Sequence, residues 1–74
     1  MKKTTWWVAV DKSTGYSYAH PSKPIRYENM GVWHNDAEFY HCLGFDFIHG
    51  LRWEDEPVEI EVIFKPKKNG NQSI

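Results

Sequence analysis

Seventy-four residues suffice for one domain, and a chain this short buries a modest share of its surface, so its stability margin is narrow. Ten acidic and nine basic residues give a formal net charge of −1, which lacks the overall basic excess of a strongly cationic nucleic-acid binder. A single cysteine, Cys42, excludes an intramolecular disulfide and suits a reducing compartment.

Four Trp, four Tyr and four Phe are many rings for this length. Each buries roughly 150–250 Å² when packed, so they serve first to build a small core. The same residue types serve as anchors on binding surfaces.

Met1-Lys2-Lys3 resembles the start of a signal peptide, but the run Trp6–Val10 is too short for its apolar region and Asp11 ends it. No apolar stretch reaches membrane-spanning length, and the expected location is the cytoplasm, with no membrane partner.

Thr4–Val10 is β-branched and aromatic and predicts a strand. Asp11–Gly15 carries turn chemistry, and Tyr16–His20 reads as the return strand. Pairing Val10 with Tyr16 puts Trp6, Val8, Val10, Tyr16 and Tyr18 on one face, the better core candidate, with Trp7 on the thinner face. Pro21 and Pro24 make the next segment a loop. Ile25–Tyr27 follows as a short edge strand and Glu28–Gly31 as a turn.

Asn35 with Glu38 three residues on has the form of a capping box, which predicts a helix over Asp36–Leu43 stopped by Gly44. Phe39, Tyr40 and Leu43 would share its buried face, with Trp33 stapled against Phe39. The runs Phe45–Trp53 and Val58–Phe64 both alternate and read as a hairpin around Glu54–Pro57, with Arg52 set opposite Glu59. The expected fold class is therefore α+β: a small antiparallel β-sheet of two hairpins, about four strands, with one short helix packed on one face, in the order ββ-α-ββ. Residues 1–65 would form this single domain and 66–74, polar and rich in Lys, Asn and Gly, a flexible tail.

Four groups of side chains raise the question of chemistry. His34, His41, Cys42 and His49 are close in sequence, but their spacing matches no zinc motif, and neighbours on a helix diverge by about 100°. No metal and no cofactor are expected. Cys42 as a nucleophile would sit in the last helical turn, where the dipole disfavours the thiolate, and a structural Cys is the simpler reading. Glu54, Asp55, Glu56, Glu59 and Glu61 gather on the second hairpin. Glu59 and Glu61 leave one strand on the same face, so they do not face each other across a cleft as a glycosidase pair does. They read either as a solvated edge or as a negative docking surface. Lys2, Lys3, Lys65, Lys67 and Lys68 lie at the two termini and would form one patch if the first and last strands are neighbours, with Trp7 or Tyr27 available to stack bases. No glycine-rich phosphate loop is present.

The sequence thus points to no enzyme. It points to a small non-catalytic binding protein, an adaptor or inhibitor of a larger protein partner that is itself basic or nucleic-acid-binding. Contact would be made through Trp7 and the acidic residues Glu54, Asp55, Glu56, Glu59 and Glu61. A nucleic-acid-binding module built on the terminal lysines ranks second, and monomer and homodimer both remain open.

Overall fold

The computed structural model describes residues 2–65. Within them the chain is all-β, with six strands and no helix: β1 (Lys2–Val10), β2 (Ser17–His20), β3 (Ile25–Tyr27), β4 (Val32–His34), β5 (His41–Gly44) and β6 (Val58–Phe64). A four-stranded antiparallel sheet has the order β5-β2-β1-β6, and β3 and β4 form a separate two-stranded hairpin. The segment 66–74, with Lys67 and Lys68, lies outside the described residues.

The α+β expectation is overturned at Asp36–Leu43, where no helix forms. Asn35 is spent on tertiary bonds: its Nδ2 donates to Phe39 O at 3.0 Å and to His20 Nδ1 at 2.7 Å. The Glu38 N–H closes one turn on Asn35 O, and Glu38 then takes φ 57°, a left-handed conformation that a helix cannot continue through. Past it the chain extends. Phe39 packs on Trp6 with ring centroids 6.0 Å apart, and Tyr40 packs on Tyr18 at 5.1 Å. Rings that alternate between two sheet faces suit an edge strand, and a two-turn helix has little intrinsic stability to set against that packing. Trp33 is accordingly not stapled to Phe39.

The second hairpin is also absent, because β6 pairs with β1 along its whole length, from Lys2 opposite Phe64 to Val8 opposite Val58. Residues 45–57 form turns instead. Asp46 accepts a bond from Gly50 N–H, Leu51 N–H donates to Ile48 O, and Asp55 accepts from Arg52 N–H at 2.8 Å. Arg52 therefore lies beside Glu54 at 3.8 Å and not opposite Glu59. The alternation of Val58–Phe64 is satisfied by Thr4, Trp6 and Val8 across the ladder.

The first hairpin forms, one residue out of the expected register. Asp11 N–H donates to Tyr16 O, and Gly15 takes φ 79° to close the four residues between them. Val10 then faces Ser17, not Tyr16, and the slip turns β2 over. Trp6, Val8, Val10, Ser17, Ala19, Val58, Ile60, Val62 and Phe64 share the first face of the sheet. Trp7, Ala9, Tyr18, His20, Glu59 and Glu61 share the second.

The β3–β4 hairpin docks at the end of β1 by specific polar contacts. The Trp33 backbone N–H donates to Asp11 Oδ1 at 3.2 Å, and its indole Nε1–H donates to Val10 O at 3.0 Å. The Arg26 guanidinium lies 4.7 Å from the ring centre of Trp33 and 5.2 Å from that of Trp53, and donates to Trp53 O and Asp55 O. This clamp ties the turns before β6 to the hairpin. Val8, Ala9, Ala19 and Trp33 form the buried apolar core of the described residues.

Candidate binding surface

The first face of the sheet is only partly covered. Trp6 on β1, Leu43 on β5 and Ile60, Val62 and Phe64 on β6 line a groove of about 520 Å³, joined by Phe39 before β5 and Phe47 after it. Their positions follow from the ladder: Trp6 stands opposite Ile60, and the ring of Phe64 reaches back to 6.4 Å from that of Trp6. Phe39 is 56% exposed, Phe47 51% and Phe64 49%. The lining of the groove is mostly apolar. Glu61 and His41 are the polar residues on its rim.

Some of the residues expected from sequence to make contact are brought together, on the opposite face. Trp7, half-buried, stands directly across from Glu59, and Thr5 across from Glu61. Both glutamates are exposed. Glu54, Asp55 and Glu56 occupy the turn just before β6, so all five acids border that strand or the approach to it. Asp55 is already used, since its carboxylate accepts the Arg52 N–H and its carbonyl the Arg26 guanidinium.

No family model, no curated protein and no solved structure matches this chain. The functional reading therefore rests on geometry.

β1 and β6 are neighbours, which brings Lys2, Lys3 and Lys65 near one another in the backbone, although Lys2 and Lys3 are consecutive positions on one strand, where successive positions alternate between faces. The register sets Lys2 opposite Phe64 and Lys3 opposite Ile63, with Lys65 next along, at one corner of the sheet. Tyr27, the alternative stacking ring, lies instead on β3 against His34, at 5.3 Å.

The groups with chemical potential are dispersed. Cys42 is exposed on β5, and its neighbour His41 is paired to Ala19 on the other face. His49 sits in a turn, almost fully exposed, and bonds Asp46 at 3.1 Å, not on a strand facing the core. That bond, with the one from Gly50 N–H, holds the Asp46 carboxyl below its usual range. Among the described residues no group of three or more His, Cys, Asp or Glu is arranged to hold a metal ion.

Sequence reasoning missed one buried polar cluster. His20 is 1% exposed, and burial first, then the charge of His34, pushes its imidazole down to about pKa 4. It is therefore neutral at pH 7, with Nδ1 accepting from Asn35 and the proton on Nε2, which has no partner among the described residues. Burial raises the Asp11 carboxyl against the opposing bond from Trp33 N–H. Both line a cleft of about 190 Å³ with Tyr18, Trp33 and Tyr40. The capping-box look of Asn35 concealed this role. The open groove was likewise missed, since it depends on Phe39 and Phe47 flanking a strand that reads as a helix.

Proposed function

We propose that this protein is a non-catalytic binding module, an adaptor or inhibitor that docks on a larger protein partner through the open apolar face. The observation that carries the reading is the groove floored by Trp6 and flanked by Phe39, Phe47 and Phe64, three rings that stay half in solvent in a chain with few fully buried apolar residues among those described. Its partner presents apolar side chains to the groove and basic ones to the β6 edge, where Glu59 and Glu61 leave the strand on the opposite face. A buried anchor ringed by polar residues is the usual anatomy of such contacts. The exposed thiol of Cys42 supports a reducing compartment, the cytoplasm. Among the described residues no helix is long and apolar enough to cross a membrane.

The test is capture of a stoichiometric protein partner that survives nuclease and is lost in the Phe39→Ser/Phe64→Ser variant. The far-ultraviolet spectrum should stay that of the parent. Retention of the partner by that variant removes the groove from the reading.

The corner where Lys3 and Lys65 lie favours a second reading, a nucleic-acid contact. Binding to single-stranded oligonucleotide would then fall steeply with salt and be lost on neutralising Lys3 and Lys65. Glu59 and Glu61 on the neighbouring strand work against it.

A further inference from the structure

The two lateral edges of the four-stranded sheet are built differently. β5 is four residues long, its pairing with β2 shifts register between Ser17 and Tyr18, and it ends at Gly44 with φ 81°. A short, irregular edge resists further pairing. β6 is seven residues long, keeps one register with β1 throughout, contains no proline, and pairs on one side only among the described residues. Its outer N–H and C=O groups form a regular template.

We propose that β6 receives an extended segment of a protein partner as an additional strand, and that the segment alternates apolar and basic side chains. The inference rests on the binding-module reading and names the partner's chemistry. A strand added beside β6 continues both faces of the sheet. On the first face its side chains would lie beside Ile60, Val62 and Phe64 and extend the apolar groove. On the second they would lie beside Glu59 and Glu61, whose neighbours across β1 are Trp7 and Thr5, neither of them cationic. Opposite charges directly across a ladder favour pairing, so the complementary residues are Lys or Arg spaced two apart. A second copy of the chain fits less well. The antiparallel register that pairs β6 along its whole length with its own copy sets Glu61 against Glu61. Nor are the two glutamates enough to close the edge, since they leave its apolar face unguarded.

The experiment uses two seven-residue peptides of identical composition, valine and lysine in strict alternation or in two blocks. Each is titrated into isotope-labelled protein, and amide shifts and hydrogen exchange are read. The alternating peptide should bind roughly tenfold tighter than the blocked one, the gain expected from two cross-strand ion pairs. It should slow the exchange of every second amide between Val58 and Phe64, those facing away from β1. In the Glu59→Lys/Glu61→Lys variant the preference should pass to an alternating valine–glutamate peptide, which shows that the variant is folded and that charge decides. Equal binding of the two peptides overturns the proposal, as does binding that shifts Trp6 and Phe39 without protecting β6. In the second case the groove still binds and the broader reading stands. If neither β6 nor the groove responds, both fail. A concentration-dependent dimer with the same β6 protection and no peptide overturns the proposal in favour of a second copy.

Discussion

The β3–β4 hairpin and the first face of the main sheet use aromatic side chains in opposite ways. In the hairpin, Trp33 is 6% exposed, its indole N–H is bonded to Val10 O, and its ring meets that of Trp53 edge-on at 5.7 Å with the Arg26 guanidinium against both. On the sheet face, Phe39 and Phe64 touch Trp6 at one edge and meet water with the rest. Position in the sheet does not explain the contrast, because both regions border β1. The polar handle does. An indole and a guanidinium satisfy backbone carbonyls while they bury carbon, so the hairpin is fastened to the end of β1 and to the turns before β6. Phenylalanine has no such handle, and its rings stay where an apolar partner can reach them.

The comparison breaks most sharply at Trp33. Trp33→Ala should cost about 3–5 kcal/mol, as large aromatic truncations in a core do, a large part of the stability of so small a domain. Urea denaturation measures it, and a loss below about 1 kcal/mol would mean that hairpin docking contributes little. Acid should come second. The folded His20 imidazole, at about pKa 4, lies below its ordinary 6.5, so the unfolded chain takes up the proton first as pH falls. The neutral-imidazole contribution is complete above pH 6.5 and is lost as pH drops through the interval to about 4, a change on the order of 3 kcal/mol. The raised Asp11 carboxyl acts the other way, since the folded state protonates it first, and it offsets part of the loss at the acid end. Urea midpoints at pH 7 and pH 4.5 should differ, and His20→Gln should flatten the difference. A slope unchanged by that substitution would place the acid sensitivity elsewhere. The smallest effect belongs to the open face. Phe39→Ser should leave stability within about 0.5 kcal/mol by thermal melting while it weakens capture of the partner. A drop of several kcal/mol would make Phe39 part of the core.

What was legible in the sequence was local. The alternation of Val58–Phe64, the turn at Glu28–Gly31 and the short strand Ile25–Tyr27 depend on neighbours a few residues away, and the structure has them. The partner of β6 was not legible, because Phe45–Trp53, closer in sequence, alternates, while Thr4–Val10 is as good a strand by its β-branched and aromatic content. The choice is made over a separation that no short-range pattern reports. Asn35 and Glu38 satisfy the pattern of a helix start, but the bond from Asn35 to buried His20 overrides it. The sequence proposed Trp7, Glu59 and Glu61 as contact residues, which the β1–β6 ladder sets on the face opposite the groove, with Trp7 beside Glu59. It offered no sign of the groove, because an uncovered face is a property of what fails to pack there.

The β1–β6 ladder also has a consequence in time. Lys2 finds its partner in Phe64, and Val8 finds its partner in Val58, so β1 keeps one side open until nearly all of the described chain has been synthesised. Hairpins β1–β2 and β3–β4 close over short loops and can assemble early, whereas the central strand must wait for the last one. Until β6 pairs, Trp6 and Trp7 stand along an unpaired edge of β1, the feature that makes incompletely folded sheets prone to aggregate.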